Sequence, residues 1–414
     1  MQKKDILWVN TVFPEPPTDG NKLRNYNLIV NLSEFYNIHL VTYSDRKDPI
    51  YLEGLLSRVC KTINTVELSE GPVSLYEKIA NRLGTFLAFE PKFCRFSEEK
   101  KLKNKIDFIV DNHPIVCIIC ASPWVARLCL PKTKIPLILD EQNVEYILMK
   151  NLFSIEKPGL RKVSRYFDFL ATRIFEEKLL NKFEAVTVAS ENDAFILNRL
   201  SKREYSLVPN GVDLEYWKYG YKRNNSKKLV FSGGMSYFPN VEAMSYFLED
   251  IFPKILEKDP SVRLVIAGKN PSLELKKQVK IFGDTVCLTG FLEDMRPIMY
   301  EASVFVVPIR AGSGTRLKIL EAMAAGIPVI STSKGAEGLR VTNGENIIIA
   351  DTAHEFVKYV LELVNNDELR CLLAKNARKL VEELYGWSSV TNNMQKVINN
   401  CIDRNYTGRS DEYN

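Results

Sequence analysis

The 414-residue chain is poor in the side chains that most often hold a metal. It has three histidines, His39, His113 and His354, with no clustering along the sequence, so no metal site is expected. Its eight cysteines form no framework. Cys117 and Cys120 make a C-x-x-C, but inside Ile-Val-Cys-Ile-Ile-Cys-Ala, which reads as a buried strand with the two thiols on opposite faces. No run of 18 apolar residues occurs, which excludes a membrane-spanning helix. The apolar stretch after Lys3 and Lys4 is too short for a signal peptide, and the expected location is the cytoplasm. Charge of one sign is lacking too: 56 basic residues against 51 acidic ones are too balanced for a dedicated nucleic-acid binder. The small basic surplus lies in residues 1–210, with 30 basic against 26 acidic residues.

What is present is apolar content for more than one core. The length suggests two to three domains, and 45% hydrophobic residues suit two sizeable ones. Strand-length apolar runs occur at Ile6–Val9, His39–Thr42, Val116–Cys120, Leu137–Asp140, Ala185–Ala189, Leu229–Ser232, Leu264–Ala267, Val286–Leu288, Val304–Pro308 and Pro328–Ser331. Stretches of helical period lie between most of them, such as Asn25–Glu34, Phe167–Lys182, Glu242–Lys258 and Leu317–Ala325. Alternating β and α elements predict parallel sheets covered by helices. Ten strands fit two doubly wound sheets better than one. The polar stretch from Lys218 to Lys228 separates the halves. The expected organisation is a first α/β domain over 1–215, a second over 216–388, a closing helix over 389–402 and a frayed tail over 403–414.

Two doubly wound domains place a ligand in a cleft between them, at the carboxyl ends of the strands. Loops that follow strands therefore matter most. After Ile6–Val9 comes a proline-rich loop ending at Gly20, just before a helix with Lys22 and Arg24; this is either a close backbone approach to an anion or a plain connection. After Leu229–Ser232 comes Ser232-Gly233-Gly234-Met235, which has neither a Walker loop nor G-x-G-x-x-G. After Val304–Pro308 come Gly312, Ser313 and Gly314, with Thr315 placed to cap a helix that runs to about Ala325. Arg316 and Lys318 in its first turn are unusual, because first turns favour acids. They suggest an external anion such as a diphosphate. Glu321 is three residues beyond Lys318 on the same face, where it could accept from sugar hydroxyls or simply pair with the lysine.

The motifs Pro-Asn-Gly-Val-Asp (209–213), Ser-Gly-Gly-Met (232–235), Val-Ile-Ala-Gly (265–268), Leu-Thr-Gly-Phe (288–291) and Gly-Thr-Arg-Leu-Lys-Ile-Leu-Glu-Ala-Met-Ala-Ala-Gly-Ile-Pro-Val-Ile (314–330) stand in one order. In that order they resemble the family 4 retaining glycosyltransferases (glycosyl transferases group 1) of bacterial polysaccharide type. The resemblance implies the GT-B fold, two Rossmann-like domains facing across a cleft. It also implies transfer of a sugar from a nucleoside-diphosphate sugar to a glycan or lipid-linked acceptor with retention, and a helix that crosses back after Trp387. By resemblance Glu321 holds the ribose hydroxyls. Arg316, Lys318 and the Ser232–Gly234 loop bind the diphosphate, the loop at 288–292 with Phe291 flanks the base, and Gly20 closes over the diphosphate. Ser313 stands where the family often has an earlier glutamate, and Met235 and Asn240 stand near its usual phosphate-gripping pair.

No side chain reads as a protein nucleophile, and no Asp-x-Asp follows a strand, so metal-independent chemistry without a resident cofactor is expected. The alternatives are a sugar-nucleotide epimerase of the same fold and a non-catalytic nucleotide-sugar-binding relative. On the acceptor side, residues 152–182 interleave seven basic residues with aromatics. That pattern suits peripheral contact with an anionic inner membrane surface or an ordinary solvated helix face.

Overall fold

The computed structural model describes residues 2–44, 54–68, 98–130, 135–156, 158–220, 226–312 and 314–410. They fall into two units, Met1–Pro209 with Val390–Asn414, and Asn210–Ser389. Each is an α/β domain on one parallel sheet, as the alternation of elements predicts.

In the first unit the strands are β1 (Lys4–Asn10), β2 (Tyr36–Ser44), β3 (Cys60–Glu67), β4 (Ile115–Cys120), β5 (Leu137–Glu141), β6 (Ala185–Val188) and β7 (Ser206–Leu207). Their order is β3-β2-β1-β4-β5-β6-β7, all parallel. The central strands β1, β4 and β5 are buried almost throughout, as a sheet covered on both faces requires. The edge strand β3 has polar residues along its length and only Val66 fully buried, so it carries no apolar run to announce it. β7, two residues long at the other edge, gives no sequence signal either.

In the second unit the strands are β8 (Lys228–Ser232), β9 (Arg263–Ala267), β10 (Val286–Gly290), β11 (Val304–Val307), β12 (Val329–Ser331) and β13 (Ile348–Ile349). Their order is β10-β9-β8-β11-β12-β13. Alternation along β8 builds both cores. Leu229 and Phe231 join Phe247, Phe252, Ile266 and Phe356 on one face, while Val230 joins Phe305, Leu320, Met323 and Ala377 on the other. The expected helix 242–258 is Phe238–Tyr246, a π-helical turn over Phe247–Ile251, and Phe252–Lys258. Pro253 lacks the N–H that an uninterrupted α-helix would use there.

The last helix runs Trp387–Ser410. Cys401 and Ile402 are buried, and Tyr36 Oη donates to Asn399 Oδ1 at 2.7 Å. Residues 411–414 lie outside the described residues.

Candidate functional site

In the second unit the strand order reverses between β8 and β11, and ligands of doubly wound sheets bind beyond the carboxyl ends at such a point. The loop after β8 is fixed by its own backbone. Gly233 N donates to Ala267 O and Met235 N to Lys269 O, each at 2.9 Å, and Gly268 N donates to Gly290 O at 2.9 Å. Three strand ends are thus laced together. A Cβ on Gly268 would fall 1.7 Å from Gly233 O, so only glycine allows that approach. The Val-Ile-Ala-Gly motif (265–268) marks this glycine, but its partner Gly233 lies in a different loop and is not visible from sequence spacing. Ser232 ends β8, and Gly234 faces open space, its N–H without a partner among the described residues.

Lys318 reaches this loop from the helix Leu317–Ala325. Its Nζ donates to Asn240 Oδ1 at 2.8 Å and lies 4.2 Å above the Phe231 ring. A Cβ on Gly233 would come within 2.7 Å of the same ammonium. Asn240 Nδ2 in turn donates to Gly234 O at 3.0 Å, so this buried amide ties lysine and loop together. Burial, and then the positive Arg316, push the Lys318 pKa down to about 7 against the opposing pull of Glu321. Burial raises the Glu321 carboxyl, and Lys318 opposes the rise. The structure therefore brings Ser232, Gly233, Gly234 and Lys318 to one place, with Glu321 one helical turn from Lys318 and within reach of its charge.

The other loop differs from expectation in two ways. Thr315 does not cap the helix. Arg316 holds the cap position, and Thr315 Oγ1 accepts from Asn210 Nδ2 at 2.7 Å, tying the Pro-Asn-Gly-Val-Asp turn to the loop. Arg316 is buried, and its guanidinium turns back to donate to Gly314 O at 2.5 Å and Ala311 O at 3.4 Å. Its desolvation lowers its pKa. Gly312 and Gly314 take positive φ (102° and 79°) that let the chain wrap around it. Ser313 lies outside the described residues. Phe291, after Gly290 at the end of β10, is 69% exposed and offers a bare ring face.

In the first unit Gly20 opens the helix Gly20–Leu32 behind the Asp19 cap, and Lys22 N donates to that cap. Arg24 is no surface cation. It is fully buried, paired to Asp140 through Nε–Oδ2 at 2.9 Å and Nη2–Oδ1 at 2.7 Å, and donates to Val208 O and Pro209 O. Thr187 Oγ1 also donates to Asp140, at 2.6 Å. Beside it lie three acids. Burial lifts Glu145 to about 7; burial and Glu145 lift Glu176 to about 8, although Glu176 accepts from the N–H groups of Glu145 and Tyr146. Burial, and then Glu176, raise Glu141 well above the usual carboxylate range, and neither of its oxygens has a hydrogen-bond partner among the described residues.

Sequence spacing hid one cluster. Strand order β2-β1-β4 brings His39 and His113, their rings 4.3 Å apart, together with Asp5. Asp5 already accepts from His39, Lys61 and Asn37, and His39 Nδ1 meets Thr62 Oγ1 at 2.9 Å. A cation would have to displace Lys61. The cluster also sits toward the amino ends of the strands, away from the ligand-facing ends.

Residues 226–366 match the model of the family described as glycosyl transferases group 1. The chain is 30% identical over 291 residues to an uncharacterized glycosyltransferase of Methanocaldococcus jannaschii, covering 67% of this chain and 72% of that protein. It is 25% identical over 401 residues to an uncharacterized 44.6 kDa protein in the cps region of Klebsiella pneumoniae, covering 94% and 99%. Among solved structures, Anabaena HepE in complex with UDP-glucose shares the fold with a TM-score of 0.61 at 14% identity, covering 96% and 99%. The protein is thus a two-domain GT-B chain, and it belongs to the group 1 glycosyl transferases. No helix among the described residues is long and apolar enough to cross a membrane.

Proposed function

We propose that the protein transfers a hexosyl group, with retention of configuration, from a nucleoside-diphosphate sugar to a glycan or lipid-linked acceptor. In this reading the second unit takes the donor and the first unit the acceptor. The observation that carries it is Lys318: an ammonium held by a neutral amide and a ring face, beside an open glycine loop at the point where the strand order reverses. A cation without a paired carboxylate is free to meet an anion, and the low-polarity setting strengthens that attraction. Lys318 and the Gly234 N–H then face the diphosphate and stabilise the charge it gains as the glycosidic bond breaks. Arg316 serves from behind, holding the Gly312–Gly314 turn in shape. Glu321, one helical turn from Lys318, accepts from the ribose hydroxyls, and Phe291 stacks on the base.

Because fixed cations do this work, no divalent metal is required in the proposed reaction and no resident cofactor takes part. The free cysteines Cys117, Cys120 and Cys129 suit a reducing compartment, the cytoplasm. The relative from a cps region supports a polysaccharide acceptor. The test is a thermal-stability screen against nucleoside diphosphates and their sugars, with and without EDTA, because a ligand stabilises by mass action. Stabilisation of the wild type, unchanged by EDTA and reduced in Lys318→Ala, is expected. No shift with any nucleoside diphosphate would overturn the reading. Binding of a donor without turnover on any acceptor would favour the non-catalytic relative.

A further inference from the structure

The helix Leu160–Leu180 has two different halves. Its later part is packed into the first unit: Phe175 stacks on Trp124 with centroids 6.1 Å apart, Phe169 meets Tyr146 at 6.4 Å, and Asp168, Thr172 and Glu176 are buried. Its beginning is not covered. Leu160 is 91% exposed, Val163 54% and Tyr166 42%, and their i, i+3, i+6 spacing puts them on one side of the helix. Exposed apolar residues grouped in this way mark a contact surface rather than scatter.

The charge around them is mostly positive. Gly159 caps the helix without a side chain, no acid stands in the first turn, and Arg161 and Lys162 occupy it instead. Arg165 follows, with Glu156 3.9 Å away, and Lys150 is exposed on the preceding helix. Basic residues in a first turn oppose the helix dipole unless an outside anion meets them. Tyr166 is braced by Phe153 and Phe169, at 5.5 and 6.3 Å between centroids, so the apolar ridge is supported from below.

We infer that Leu160, Val163 and Tyr166, flanked by Arg161, Lys162 and Arg165, dock the protein on an anionic lipid surface. A short apolar ridge enters the boundary between headgroups and acyl chains while the basic residues meet lipid phosphates, a division of labour known for interfacial helices. Of the basic residues across 152–182, the structure assigns contact to those at the start of this helix and leaves Arg173 and Lys178 as solvated charges. The inference stands apart from the transfer chemistry, because lipid binding is measured without any donor.

The test uses the full chain in flotation with vesicles of phosphatidylcholine alone and of phosphatidylcholine with phosphatidylglycerol, at low and high salt. The wild type should bind the anionic vesicles and lose several-fold on the neutral ones or in high salt, as screening requires. Leu160→Ser with Val163→Ser, and separately Arg161→Glu with Lys162→Glu, should each weaken binding several-fold with unchanged melting curves. The single variants Leu160→Gln and Val163→Gln replace the double one if it unfolds. Wild-type chain that ignores anionic vesicles, or variants that bind as well as wild type, would sink the inference. So would a wild-type dimer in sedimentation velocity that the Leu160→Ser/Val163→Ser variant dissociates, since the ridge would then belong to a second copy.

Discussion

The two sheets treat their cations in opposite ways. In the first unit Arg24 is locked to Asp140 and two carbonyls, with every strong donor committed inside the fold. In the second unit Lys318 has an amide oxygen and an aromatic face, and no carboxylate within bonding distance among the described residues. Both are basic residues near the start of a helix that follows a strand. The difference is the partner. A buried cation paired with a carboxylate stabilises structure, whereas one held by neutral groups keeps unsatisfied charge for a ligand.

The largest expected effect tests the first half of that contrast. Arg24→Ala leaves Asp140 buried and unpaired, and should destabilise the first unit by about 3–5 kcal/mol in chemical denaturation. A loss of nucleotide affinity with stability intact would instead make Arg24 a ligand. Next comes Lys318→Ala. Losing a charged hydrogen bond that peaks in the transition state should lower kcat by about 10- to 100-fold, equivalent to about 1.5–3 kcal/mol, with a smaller change in donor binding. Its melting temperature should hold or rise, because a poorly solvated ammonium is removed. Near-normal turnover would place the phosphate site elsewhere.

Glu321→Gln should weaken nucleoside diphosphate binding by about tenfold in calorimetry, about 1.4 kcal/mol, since amide-to-hydroxyl bonds are weaker than carboxylate ones. Unchanged affinity would remove Glu321 from the site. The contrast also predicts a pair of opposite pH slopes. Glu145 and Glu176 hold protons up to about 7 and about 8, while an unfolded glutamate loses its own near about 4.3. Their contribution is complete below about 4.3 and is lost as pH rises through those values. Lys318 is neutral above about 7 when folded but charged to about 10.4 when unfolded. Its contribution is present above about 10.4 and is lost as pH falls through about 7. Denaturation across pH should show the first slope flattened by Glu176→Gln and the second by Lys318→Met. If neither variant changes its slope, these groups are ordinary solvated ones.

The parts legible in the sequence were those with a continuous apolar run or a glycine at a strand end. All ten expected strands are present, and the unannounced ones, β3, β7 and β13, lie at sheet edges, where burial is partial or the strand is two residues long. The Ser232–Gly234 loop and the Lys318–Glu321 helix were visible because glycine and a misplaced lysine are local signals. The roles of Asn240 and Gly268 were not, since each depends on a loop distant in sequence that the strand order brings alongside; Arg316 folds back on Ala311 and Gly314 in its own loop, a side-chain direction that residue type does not announce. For the same reason His39 and His113 looked unrelated until β1, β2 and β4 were laid side by side.

Gly268 and Gly234 also set how the site can diverge. At 268 any side chain collides with the neighbouring loop's carbonyl, so no gradual path of substitutions passes through that position. At 234 nothing lies within 4 Å of an added Cβ, and larger residues fit without moving the lacing behind them. A lineage drifting toward a new donor would therefore vary the front of the loop while its back stayed fixed. Directed libraries should be built on the same asymmetry.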